Sequence, residues 1–447
     1  MLSRMVVFLA ICGGTAPFFT NSLNNVELQV LDLTRQTFGF SRNETDNTPR
    51  ERRLVRLLYG LIQAAVRIGT VCGTLPARVV IDRFGAKTSL FVAMATATLL
   101  GALTQFLAEP LGCALLLLVG RLLIGQARNF WFMASPFIAE CAGGKRAGNW
   151  IAFPAAGAAT SPKYLYLEKG QEAKARQAAR RYGGLADDEE SSWSAVVQPQ
   201  LDRERELQNV QNSDFVGAVD LLSKREFRKP LLLCVTLQLT TNCTFGVVAG
   251  LYATGIVVGL GVGVEVAQYP SIWLLQMPSA ILALAMTKLT RLGRRPCAFT
   301  GISFAAAGHT LVLLSDVLGS YSAVAGLTFL NVAYTLVGAI VSKAMPGEAA
   351  PQAARASIAQ ATVFCGESTG MLIIWLFPLA HHELGPLVFA LPLCSLLVLT
   401  AWLWVHMPET QGRSVDQVLE EMLEGDQSAQ QLRVEEEEKE ERRSLIW

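Results

Sequence analysis

At 447 residues, with 51% hydrophobic and 17% charged residues, the chain is too apolar for an ordinary soluble protein, in which about 25% of residues are charged. A formal net charge of +1, with no basic patch interleaved with aromatics, excludes a nucleic-acid-binding class. Nine cysteines stand singly in apolar runs, without metal or redox spacing, and read as core fillers. Long apolar runs of helical length make the fold class all-α, inserted in a lipid bilayer.

In chain order, residues 5–20 are apolar behind Arg4 and fit either a signal-peptide core or a first membrane helix. Both readings put the following polar loop outside, where Asn43-Glu44-Thr45 forms an N-glycosylation sequon. Arg50, Arg52, Arg53 and Arg56 sit at that same outer end, against the usual basic enrichment of cytoplasmic loops. Residues 54–80, 90–107 and 111–137 are each long enough to cross a hydrocarbon core that needs about 20 residues. From Arg146 to Ser161 only NWIAFPAAGAAT remains, which is too short to cross and suits at most an interfacial or re-entrant piece.

The long polar stretch follows. Pro162 can open a helix because its missing N–H costs nothing in a first turn. Residues 169–181 have high helix propensity, and Gly183-Gly184 ends the run. Residues 202–206 give a second piece. Residues 214–227 place Phe215, Val216, Ala218, Leu221, Leu222 and Phe227 on one helical face, so a packed helical platform is expected rather than a bare linker. Six more apolar runs come next, at 231–258, 271–289, 297–314, 323–341, 358–379 and 384–405, about ten spans in all. An acidic tail including Glu435–Glu438 reads as solvated. The expected division is a membrane half at 1–158, a cytoplasmic helical linker at 159–229, a second membrane half at 230–407 and a tail at 408–447.

Several short motifs resemble those of the sugar porters of the major facilitator superfamily, especially the facilitative hexose transporters. SPKYLYLEKG resembles the signature that follows their sixth helix, with Thr160 in place of a glutamate. ICGGTAPFFTNSLNN stands where they have a glycine-rich first helix, which favours a retained helix over a signal peptide. IDRFGAKTSL resembles their first inner loop through Asp82, Arg83, Gly85 and Lys87, while Ala86 replaces an arginine. VGRLLIG and SPFIAE resemble their fourth-helix motifs, with Arg121 and Glu140 in the charged positions, and Arg146 follows as in the family. LTRLGRRP repeats the inner loop through Arg291, Gly293, Arg294 and Arg295, with Thr290 where the family has an acid. MPETQGRS, carrying Glu409 and Arg413, is the most specific match.

The resemblance implies two related halves rocking about a central site by alternating access, and a cytoplasmic gate built from these charges. It also implies that the fifth and sixth helices are missing here, since nothing after Arg146 is long enough to be them. The family contacts sugar hydroxyls from its seventh helix, where this chain reads QLTTNCTFGVV. Gln238 matches, Thr241 and Asn242 replace glutamines, and Val247 replaces an asparagine. Gln238, Thr241, Asn242, Gln276, Asn331 and Tyr334 are the candidate polar lining; the bland alternative is that they bond one another between helices. Arg67, Arg128 and Glu367 are charges within spans, costing about 2.5–3.5 kcal/mol each on insertion scales, and mark a cavity or a pairing. No acid precedes Glu27, and in the family the absence of a first-helix aspartate implies uniport. GGKR at Gly143 to Arg146 lacks the leading glycine and the hydroxyl of a phosphate loop. The expectation is a plasma-membrane transporter of a sugar or other small polar solute, with no cofactor, no metal and no enzymatic activity. The alternative is a truncated, non-transporting isoform or an incomplete gene product.

Overall fold

The computed structural model describes residues 27–41, 46–84, 92, 94–142, 172–173, 218–259, 293–413, 415 and 417–422. The readings made for Asn43, Gly85, Arg146, Gln276 and Arg291, for most of the polar platform and for the acidic tail lie outside these residues. Glu140 is described in its helical backbone only.

Every described element is a helix. A short α1, Glu27–Phe38, precedes α2, Pro49–Phe84, of 36 residues. At 1.5 Å rise per residue α2 is about 54 Å long, well beyond a hydrocarbon core of about 30 Å. About 16 of its residues therefore exceed what a hydrocarbon core needs. Thr48 opens the helix reciprocally: its backbone N–H donates to Glu51 and its hydroxyl accepts from the Glu51 N–H, a capping box that fixes the start. Next come α3, Met94–Phe106, and α4, Ala114–Ala142. The side chains Leu99, Leu103 and Phe106 of α3 are exposed, as expected of a face turned to lipid.

The second half starts with α5, Ala218–Ser223, and α6, Arg225–Cys243. The single amphipathic helix expected at 214–227 is not formed. Lys224 takes an extended backbone, so Phe227 belongs to α6, and Val219 and Leu222 of α5 are exposed while Leu221 is buried. Leu221 and Phe227 nevertheless pack into the same apolar core from either side of the break. There follow α7, Gly246–Gly259, α8, Arg294–Leu313, α9, Ser315–Leu318, and α10, Ser320–Tyr334. A π-helical stretch, Thr335–Ser342, links α10 to α11, Lys343–Ala349. The half closes with α12, Gln352–Leu384, a 3₁₀ turn at Gly385–Phe389, and α13, Ala390–His406. Among the described residues five helical stretches are long and apolar enough to cross a membrane, and three of them, Arg225–Gly259, Ser320–Ala349 and Ser357–His406, each run through more than one of these helices.

Two apolar cores hold the bundle. One lies within the second half, around Leu233, Leu237, Ile302, Val337, Met345, Ile358 and Leu403. The other draws Tyr59, Ile62 and Leu117 of the first half together with Phe245, Tyr252, Leu330, Phe377 and Phe389 of the second, so it joins the halves where α2 begins. Helices α2 and α12 run antiparallel along their lengths: Arg53 pairs with Glu383 at 3.0 Å, the Trp375 indole donates to the Leu57 carbonyl at 3.2 Å, and Gln360 donates to the Thr74 carbonyl at 3.2 Å.

Candidate functional site

Halfway down the α2–α12 contact, Arg67 and Glu367 face each other at 3.3 Å. Both are almost fully buried. Arg128, two α4 turns below Arg121, approaches the other Glu367 oxygen at 3.8 Å. Asn242, near the end of α6, accepts from Arg67 at 3.5 Å and donates to the Gly366 carbonyl at 2.7 Å. Tyr334 bonds Arg128, and Lys343 lies within range of the charges of Arg128 and Glu367. One acid from the second half thus gathers two arginines of the first, which brings together the three intramembrane charges singled out from the sequence.

The sixth and seventh helices meet at a break. Phe245 has φ of 55°, a left-handed conformation costing a side-chain-bearing residue roughly 1–2 kcal/mol. It is held by aromatic contacts at 5.6 Å to His309, 6.0 Å to Phe377 and 5.7 Å to Phe389. Its neighbour must be glycine, because a Cβ on Gly246 would stand 2.3 Å from the Tyr334 Cβ. The chain therefore turns where α7 crosses α10 closely, next to the polar residues of α6.

Of the expected lining, Gln238 accepts from the Ser342 hydroxyl at 2.7 Å, and Thr241 donates back to the Leu237 carbonyl of its own helix at 2.8 Å. Asn331 and Tyr334 sit one turn apart on α10, partly buried. In this conformation Gln238 and Asn242 bond neighbouring helices, while Tyr334 and Asn242 join the charge cluster. Sequence reasoning missed Ser342 and Lys343; their signal was two polar residues closing the apolar run 323–341.

At the other end of the bundle the loop residues form a compact ionic knot. The Glu409 carboxylate accepts from the backbone N–H groups of Arg294 at 2.7 Å, Arg295 at 3.1 Å and Gln411 at 3.0 Å, so it caps the first turn of α8 where the helix dipole favours an anion. A Cβ on Gly293 would lie 2.1 Å from a Glu409 oxygen, so a larger residue there would displace the carboxylate from its present place. The Arg294 guanidinium binds Glu348 through Nη2 at 2.7 Å and Nε at 3.1 Å and 3.2 Å, and Thr410 donates to the same carboxylate at 2.6 Å. Glu348 was not foreseen. Its signal was an acid in the short polar loop PGEAAPQ between two spans.

Three gate readings need correction. Arg121 does not sit at this end: it is buried beside Gln63, to which it donates, and 19 residues of α4 separate it from Glu140, about 28 Å along the axis. The Arg295 side chain does not meet Glu409; it donates to the Trp404 carbonyl at 2.7 Å and stacks over that ring at 5.7 Å, leaving only its backbone to the acid. Arg413 pairs with Glu421 of its own tail segment at an exposed site, where such a pair contributes little. Arg83 ends α2 on the surface.

A sequence profile of the sugar (and other) transporter family matches residues 6–153 and 158–422. The chain belongs to that family. It is therefore a multi-pass membrane protein of a transporter family, not of an enzyme family. Among relatives of this family member, the pig "Solute carrier family 2, facilitated glucose transporter member 2" is 24% identical over 60% of this chain and 51% of its own length. The human "facilitated glucose transporter member 3" of the same carrier family is 25% identical over 58% of this chain and 51% of its own. The chain spans about half the length of these two curated relatives. In fold it resembles a proton:xylose symporter of the major facilitator superfamily solved with 6-bromo-6-deoxy-D-glucose, at a TM-score of 0.69 and 16% identity over 93% of this chain and 98% of that one.

Proposed function

We propose that the chain carries a sugar or other small polar solute through the plasma membrane by facilitated alternating access. The observation that carries this reading is the buried cluster of Glu367, Arg67, Arg128 and Asn242, in which one helix of the second half meets two of the first at mid-depth. Buried charges at a mid-membrane seam are costly unless they serve a path or a switch. A seam held by one acid is also the kind of element whose two arrangements a solute can bias. The ionic knot of Arg294, Glu348, Glu409 and Thr410 is the second half's share of an inner gate, with Gly293 shaped to admit Glu409. Gln238, Asn242, Asn331 and Tyr334 are the polar groups that would exchange their present partners for solute hydroxyls in another state of the cycle, since amide and phenol groups offer both donors and acceptors. The relatives named for glucose support a hexose or a close chemical relation of one.

The test is counterflow in proteoliposomes containing the purified chain, with labelled hexoses and hexose derivatives. Saturable exchange that Glu367→Gln abolishes in folded protein is the expected result. Folded protein with no saturable exchange of any such solute would refute the reading and favour a non-transporting isoform.

A further inference from the structure

The break between α6 and α7 is held from a third helix. Backbone hydrogen bonding lapses there: the Thr244 N–H turns back to the Thr240 carbonyl at 3.0 Å and the Phe245 N–H to that of Asn242 at 3.1 Å, and the next ladder begins with the Ala249 N–H on the Phe245 carbonyl at 2.8 Å. The carbonyl of Cys243 lies between the two ladders and meets His309 Nε2 of α8 at 2.9 Å. A carbonyl oxygen only accepts, so the imidazole carries a proton on Nε2 and donates it here. His309 is fully buried, and its ring also meets those of Phe245 at 5.6 Å and Phe389 at 5.9 Å between centres. One side chain therefore grips both the carbonyl that ends α6 and the residue whose left-handed backbone makes the turn.

The base of this brace is rigid. A Cβ on Gly308 would stand 2.8 Å from the Gly326 carbonyl oxygen, and one on Gly326 would stand 2.7 Å from the Gly308 carbonyl oxygen, so α8 and α10 cross backbone to backbone beside His309. One turn further along α10 the break itself is pinned, since a Cβ on Gly246 would stand 2.6 Å from the Leu330 carbonyl oxygen. A side chain packed on such a base has little room to move. On the other side, the residue whose carbonyl His309 holds adjoins Asn242, which bonds the Gly366 carbonyl at 2.7 Å and meets Arg67 at 3.5 Å. The grip thus fixes the end of α6 from which Asn242 reaches α12.

We propose that His309 is a positioning residue for solute: by holding the Cys243 carbonyl it sets the helix break that presents Asn242. Without that donor the carbonyl is left buried and unsatisfied, and it regains a partner by rewinding of the break, which turns Asn242 away from α12. The inference rests on the transport reading above and deepens it.

The experiment uses the full chain, His309→Gln and His309→Phe, with hydrogen exchange of the amides of residues 244–249 followed in detergent and hexose counterflow run in proteoliposomes. Glutamine places an amide donor near the position of Nε2, whereas phenylalanine keeps a ring and loses the donor. His309→Phe should speed exchange at the break tenfold or more relative to α13, and raise KM fivefold or more with the maximal rate changed less than twofold. His309→Gln should recover most of both. Nitrogen NMR of the histidine-labelled unmodified chain should show a protonated Nε2 for the signal that His309→Gln removes, a test of the bond that stands even where the phenylalanine variant does not fold. A proton on Nδ1 alone, break exchange unchanged by phenylalanine, or KM unchanged while exchange rises would overturn the inference. No counterflow by the unmodified chain, with exchange responding as expected, defeats the transport reading and leaves the brace.

Discussion

The Glu367 carboxylate on α12 lies 3.3 Å from Arg67 on α2 and 3.8 Å from Arg128 on α4, so a single acid ties two helices of the first half to the second. Removing one partner of a buried pair leaves the other charge uncompensated, which costs about 3–5 kcal/mol. Glu367→Gln should therefore lower the unfolding midpoint markedly. The double variant Glu367→Gln with Arg67→Gln should recover part of the loss, because one of the two arginines that the acid paired is removed with it and only Arg128 stays uncompensated. Thermal unfolding of the unmodified chain and the two variants in one detergent measures this directly. Equal losses for the double and the single variant would mean that Arg67 finds water instead.

The Gly293 position makes a steric prediction. With a Cβ placed 2.1 Å from a Glu409 oxygen, Gly293→Ala has to push the carboxylate off the backbone N–H groups it caps. Losing that cap costs about 1 kcal/mol by the usual scale of helix caps, and the knot around Arg294 and Glu348 loosens with it. Cysteine-labelling rates at Thr410→Cys, compared with and without Gly293→Ala, should rise several-fold. Unchanged labelling would show that the loop accommodates the methyl group by a shift elsewhere.

Phe245 sets two costs against each other. Glycine at 245 would relieve roughly 1–2 kcal/mol of left-handed strain, yet deleting a buried phenyl ring costs about 3–5 kcal/mol. Packing wins, so Phe245→Gly should destabilise. Phe245→Ala should destabilise further, since it loses the ring and keeps the strain. An alanine variant as stable as the glycine variant would mean that the backbone at 245 relaxes once the ring is gone.

What could be read in advance followed from chemistry that is local in the chain. The apolar runs gave the helices around 54–80, 297–314 and 358–379 because lipid makes span length a property of the segment alone. The pairing of Arg67 and Arg128 with Glu367 was open to view as three costly charges in need of partners, although not which would meet which. The location of Arg121 was not legible: a resemblance of motif placed it with Glu140, whereas counting helix rise along α4 puts the two most of a membrane apart. Glu348 escaped because its importance comes from Arg294, 54 residues away, and no periodicity reports such a partner. The break at Lys224 likewise depends on one residue's backbone, which an amphipathic pattern over 214–227 does not record.

Asn242 offers the sharpest separation of a structural from a functional role. Its amide bonds the Gly366 carbonyl at 2.7 Å and meets Arg67 at 3.5 Å, so part of its value is plainly structural. Leaving a buried partner unsatisfied costs about 1–3 kcal/mol, and Asn242→Ala should lower the unfolding midpoint accordingly. If the amide also contacts solute in another state of the cycle, KM for counterflow should rise about tenfold or more, the weight of one strong hydrogen bond. Asn242→Gln keeps the amide group but moves it one methylene along, so it should restore much of the stability and little of the KM. Stability and KM moving together in both variants would make Asn242 a helix fastener alone, and would shift the search for the solute contact to Gln238 and Tyr334.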